Sequence, residues 1–92
     1  MQKLELEVYG TASNAAVVRA PGRRFPGVVV QGDTLATLLD SANEIASRAA
    51  LTSDDELAAE AEGLRDRLAG LVAQYEAVMA EHGLGLPYHR AR

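Results

Sequence analysis

The 92-residue chain contains no cysteine, which excludes disulfides, thiolate catalysis and cysteine-ligated zinc in one step. It has no tryptophan, and its aromatic side chains are Phe25, Tyr9, Tyr75 and Tyr88. Any core must therefore be aliphatic, built from Leu, Val and Ala. No apolar run approaches the roughly 18 residues needed to span a bilayer. The N-terminal MQKLELEVYG lacks the basic-then-apolar order of a secretory signal, so the expectation is a cytoplasmic protein without membrane contact. Histidine is scarce, and neither His82 nor His89 has a second His at i,i+4 to complete a metal pair. A favourable charge at a helix C-terminus explains His82 more simply. Gly32-Asp33-Thr34 could hold a phosphate at a helix start, but Asp33 would occupy the place of the anion and no P-loop lysine follows. Ser13, Ser41, Ser47 and Ser53 lie in no nucleophile-elbow context. No metal, cofactor or catalytic residue is expected, and the chain reads as a protein that is not an enzyme.

The composition that remains is that of an ordinary globular domain, 48% hydrophobic and 24% charged. Its length suits one small domain, placed at residues 1–83 with a C-terminal tail at 84–92. A core of that size leaves a thin stability margin, which favours a dimer or a permanent partner. The formal net charge of −4 is unevenly spread. Residues 1–32 and the last ten residues are net basic, and the helical middle is strongly acidic.

Lys3 to Tyr9 alternates strictly, with Leu4, Leu6 and Val8 on one side, and predicts a strand over 3–9 with one buried face. GTASN at 10–14 is a turn cluster, and a returning antiparallel strand follows at 15–19. Pro21-Gly22 signals a type II turn with Arg23 and Arg24 at its tip. The Val28-Val29-Val30 run predicts a third strand over 27–31, covered on both faces. Gly32 supplies the permissive backbone for the turn into a helix over 34–50 capped by Asp33 or Thr34. The apolar stripe of that helix is Leu35, Leu38, Leu39, Ala42, Ile45, Ala46 and Ala49. Ser53-Asp54-Asp55-Glu56 is a capping box opening a second helix over 54–82, with Gly83 as its stop. The fold class is α+β: a three-stranded antiparallel sheet, then an amphipathic helix, then a longer coiled-coil-like helix, β-β-β-α-α.

Two surfaces are candidates for function. On the long helix Leu57, Leu64, Leu71 and Val78 repeat every seven residues with Ala61, Leu68 and Tyr75 between them, the 4-3 spacing of a helix interface. A second stripe, Ala59, Gly63, Asp66, Gly70, Ala73, Ala77 and Ala80, is either a surface for close backbone approach or ordinary drift in an Ala- and Gly-rich helix. On the proline-rich loop, Arg19, Arg23, Arg24 and Phe25, joined by Arg90 and Arg92 of the basic tail, could bind carboxylates or phosphates. A pI near 5.0 argues against nucleic acid and leaves an acidic protein surface as the favoured ligand, with plain solubility as the alternative.

Pro26-Gly27, then Gln31-Gly32-Asp33-Thr34, then Leu35, Leu39 and Ala42 together resemble the N-terminal domain of HicB-type antitoxins. The first half is also similar to a family of small uncharacterised bacterial proteins with a PGRRFPG-like loop followed by QGD. The HicB resemblance departs at Ala36-Thr37, where an acidic residue is usual, and a long helix replaces the fourth strand and the DNA-binding domain. What it implies is a non-catalytic, antitoxin- or immunity-like module that binds and regulates a bacterial protein partner. The alternative is a structural dimerisation or accessory subunit of a larger assembly, and a homodimer fits both.

Overall fold

Residues 1–11 and 15–89 are described by a computed structural model. The element order is β1 Glu7–Gly10, β2 Ala16–Arg19, β3 Gly27–Val29, α1 Gly32–Ala49 and α2 Asp55–Glu81. The fold is thus the expected α+β arrangement, a three-stranded antiparallel sheet followed by two helices. The chain divides into two compact units, Met1–Gln31 and Gly32–Arg92.

In the first unit the strands lie in the order β1-β2-β3, with both pairings antiparallel. The turn after β2 sets the length of the sheet. The Arg23 N–H donates to the Ala20 carbonyl at 3.1 Å, and Gly22 sits at φ +79°, the left-handed value that a type II turn requires at its third position. This turn also corrects the predicted extent of β1. Glu7 pairs with Arg19, so residues 3–6 would have to pair with Ala20, Pro21 and beyond. Those residues are committed to the turn, and proline has no N–H to give. β1 therefore starts at Glu7. At its other end the register shifts between Val8 and Gly10, a bulge that reaches the expected turn; Ala12 to Asn14 lie outside the described residues.

The predicted burial of the strands is overturned as well. Leu4, Leu6 and Val8 do not form a buried face, Leu4 being 66% exposed. Val28, Val29 and Val30 are exposed too. Among the described residues β3 pairs only with β2, which makes it an edge strand, and its β-branched run reflects strand propensity rather than enclosure.

The second unit is a helical hairpin. Its short connection is held by Thr52, whose N–H and hydroxyl both donate to the Ala49 carbonyl, at 3.1 and 2.7 Å. The N-cap of α2 is Asp54, whose Oδ1 accepts from the Leu57 N–H at 3.0 Å, one residue later than a capping box on Ser53 would place it. At the far end Gly83, at φ +66°, ends α2 as expected. The Gly83 N–H reaches the Ala80 carbonyl at 3.1 Å and the Leu84 N–H the Met79 carbonyl at 2.8 Å, the paired bonds of a Schellman cap.

α1 begins at Gly32, two residues before its predicted start, and Asp33 lies inside the first turn with its carboxylate accepting from the Thr34 N–H at 2.8 Å. The Glu44–Arg48 pair forms at 3.0 Å. The helices run antiparallel, because Ala46 and Ala49 pack with Ala58 and Ala61 near the connection while Gly32 meets Tyr75 at the other end. The line of covered positions on α1 is Gly32, Leu35, Leu39, Ala42, Ala46 and Ala49, and that on α2 is Ala58, Ala61, Arg65, Leu68, Val72, Tyr75 and Met79; Ala36, Ala69 and Glu76, each one position after a member of its line, are partly covered too. Both lines alternate in steps of three and four, the pattern of a coiled-coil seam.

The most deeply buried positions of this seam are small residues. Its buried apolar members are Ala42, Ala46, Ala49, Ala61 and Val72. Alanine side chains let two helices approach closely, and they also bury little area, so each of the four alanines contributes much less than the ~1.5–3 kcal/mol of a buried leucine. The predicted row and the line packed against α1 coincide only in part. Ala61, Leu68 and Tyr75 do face α1, but Leu57, Leu64, Leu71 and Val78 do not share their line. At each of those four layers the next residue in sequence, Ala58, Arg65, Val72 or Met79, takes the position that is covered.

Candidate functional site

The leucines beside the seam form the most prominent surface of the helical unit. In α2 each lies one position before a seam residue, which places all four on one side of the helix. In α1 the equivalent positions are Leu38 and Ile45. Antiparallel packing brings these two rows to the same flank. A shallow, open depression there is lined by Ile45, Leu57, Ala61 and Leu64, with Glu60 and Arg67 among its other residues. Leu38, Ile45, Leu57, Leu64, Leu71 and Val78 are all between 46% and 53% exposed. Half of each side chain rests on the hairpin and half faces outward.

The opposite flank is polar. Asp33, Asp40, Asn43 and Glu76 line a depression that is closed at one side by Tyr88 and His89. The Tyr88 hydroxyl donates to Glu76 Oε2 at 2.8 Å, which fastens the C-terminal segment along this side. The C-terminal tail thus folds back at Tyr88, on the polar flank. Arg90 and Arg92, the basic tail residues, lie outside the described residues. Among the described residues no group of three or more His, Cys, Asp or Glu stands close enough to hold a metal ion. The outer face of α2, with Gly63 and Gly70, is open: a Cβ built on either meets nothing within 4 Å. No close backbone approach to these glycines occurs within the described residues.

The arginine loop of the first unit separates into three different environments. Arg19 lies directly opposite Glu7 in the sheet register and forms both a hydrogen bond and an ion pair with it. The Glu7 carboxylate, through that hydrogen bond first and its charge second, raises the Arg19 guanidinium above its ordinary value. Its charge is thus matched across the strand pair. Arg24 stacks over the Phe25 ring, 5.3 Å from guanidinium carbon to centroid, a cation–π contact on a ring that is 72% exposed. Arg23 lies at the end of the type II turn, beside a depression shared with Glu5, Glu7 and Arg19. Of the four predicted loop residues, Arg23 and Arg24 are presented outward together with Phe25, and Arg19 is engaged.

Sequence periodicity located the leucine row, and the line that packs against α1 runs beside it, sharing Ala61, Leu68 and Tyr75. The signal for that line was present at Ala58, Arg65, Val72 and Met79, also spaced by seven, and was masked by Arg65. That arginine reaches out of the seam to Asp66, with its Nη2 2.9 Å from Oδ1; the Asp66 hydrogen bond and charge raise its guanidinium above the ordinary value. Gly32 is the other residue whose role was missed. Its φ is not positive, and its requirement for glycine comes from the Tyr75 ring that lies against it.

Among the described residues no helix is long and apolar enough to cross a membrane. The chain belongs to the family of unknown function DUF6959, whose pattern matches residues 1–88 and so takes in both units. No curated protein and no solved structure matches the chain.

Proposed function

We propose that this member of the DUF6959 family is a non-catalytic protein-interaction module that works through the apolar flank of its helical hairpin. The observation that carries the reading is the row of six half-exposed aliphatic side chains on one flank, from Leu38 and Ile45 on α1 to Leu57, Leu64, Leu71 and Val78 on α2. Contiguous apolar surface of this kind marks an interaction site in a folded protein. The small-residue seam adds a physical reason for a companion, since a hairpin held by buried alanines gains little from its own core. Arg23 and Arg24, turned outward beside Phe25, form a second contact for an acidic protein surface. In this reading the regulatory, antitoxin- or immunity-like role is exercised by occupying a partner rather than by chemistry.

The test is purification of the full chain from its native host, beside a variant carrying Leu57→Gln, Leu64→Gln and Leu71→Gln. Native mass spectrometry should find the wild-type chain with a stoichiometric companion, either another copy or a different protein. The variant should keep its helical circular dichroism and lose that companion. A wild-type chain recovered only as a lone monomer, indistinguishable from the variant, overturns the reading.

A further inference from the structure

We infer that the apolar flank is covered by a second copy of this chain, the two α2 helices running antiparallel about a two-fold axis at Leu64. This rests on the interaction-module reading above and names its partner. Area is the first support. Six aliphatic side chains at about half exposure leave on the order of 500 Å² of apolar surface on each copy, so two copies bury roughly 1,000 Å² between them, the size at which specific interfaces begin. A flank that is a single continuous row is also self-complementary, as a two-fold interface requires.

Charge decides the arrangement. Along the outer edge of the leucine row run Glu60, Arg67, Gln74 and Glu81, each four residues before or three after a row member and so its neighbour on the helix surface. Glu60 and Arg67 border the depression with Leu57 and Leu64, and neither forms an ion pair among the described residues. With antiparallel helices centred on Leu64, Leu57 meets Leu71 of the second copy and Leu64 meets its own counterpart. Glu60 then falls beside Arg67 of the second copy, twice by symmetry. A parallel pair sets Glu60 against Glu60 and Arg67 against Arg67. Centring between Leu64 and Leu71 again opposes the two Arg67 side chains, and centring on Leu71 opposes Glu60 to Glu81. Only the Leu64-centred register satisfies the leucines and the charges together. Like charges directly opposed across an interface act against the other registers.

The absence of cysteine makes the register directly measurable by oxidative cross-linking of single-cysteine variants of the full chain. Leu64→Cys should form a disulfide dimer by itself, because the axis brings its two copies together. Leu57→Cys and Leu71→Cys should each stay uncross-linked alone, their two copies being about 21 Å apart along the helices, far beyond disulfide reach. Mixed together, Leu57→Cys and Leu71→Cys should cross-link with Leu64 intact. By analytical ultracentrifugation Arg67→Glu should weaken the dimer about tenfold or more, and Glu60→Arg with Arg67→Glu should restore it. Cross-linking of all three variants alone indicates parallel helices and overturns the proposal, as does a dimer indifferent to both charge changes. A chain that is monomeric by itself but carries a different protein companion overturns the second copy while leaving the interaction module standing. A chain with no companion overturns both.

Discussion

Gly32 is the residue at which a single added methyl group should be felt most. A Cβ built on it would lie 2.1 Å from Cζ, 2.3 Å from Cε2 and 2.5 Å from the hydroxyl oxygen of Tyr75. Restoring an ordinary 3.4 Å contact requires the ring or the start of α1 to retreat by about 1.3 Å. Tyr75 is a seam residue, so that movement opens the end of the hairpin where α1 begins. Overpacking of this size costs about 1–3 kcal/mol. Opposing it, alanine is a better helix former than glycine by up to about 1 kcal/mol in a helix interior, and less in a first turn. Gly32→Ala should therefore destabilise the hairpin by about 1–2 kcal/mol, or lower its melting temperature by roughly 5–15 °C for a unit of this size. Urea unfolding followed by far-ultraviolet circular dichroism, at one fixed protein concentration so that association does not enter, measures it. The control is the same substitution in a Tyr75→Leu background, where the far end of the ring is gone. There Gly32→Ala should be neutral or stabilising, giving a coupling of about 1.5 kcal/mol or more between the two sites. An equal cost in both backgrounds would refute the reasoning, since the ring would then not be what excludes a side chain.

Other glycines should answer differently to the same substitution. Gly22→Ala and Gly83→Ala place a side chain at φ +79° and +66° and should each cost about 1–2 kcal/mol, read by thermal melts; Gly63→Ala and Gly70→Ala meet open space and should each stabilise α2 by up to about 1 kcal/mol. Asp54→Ala removes the acceptor for the Leu57 N–H and should cost about 1 kcal/mol, whereas Ser53→Ala should leave the urea midpoint nearly unchanged. Tyr88→Phe deletes the hydrogen bond to Glu76; amide exchange of residues 84–89 should quicken several-fold, with about 0.5–1.5 kcal/mol lost. Unchanged exchange there would mean that the ring alone holds the segment.

Much of the fold was written in local chemistry. Pro21-Gly22 specified its type II turn, and Gly83 its helix stop, because each depends on backbone conformations that few residues adopt. The two helices were legible from apolar spacing, to within two residues at their ends. Those signals operate within one turn of chain, where neighbours in sequence are neighbours in space. Which side of a helix is covered depends on the partner helix instead. Periodicity alone could not separate Leu57, Leu64, Leu71 and Val78 from Ala58, Arg65, Val72 and Met79, since both repeat every seven residues. The choice fell to packing against α1, which covers the second set and leaves the leucines on the flank. The candidate site exists because of that packing. The sheet shows the same division: alternation marked Lys3 to Tyr9 as extended chain, but the turn at Ala20 to Arg23 decided how much of it finds a partner. Local sequence determined the elements of this protein and the ends of its helices, because caps, turns and propensity act at short range. Tertiary packing alone decided which leucines were left facing outward, because burial is a property of two surfaces and only one of them lies in any helix.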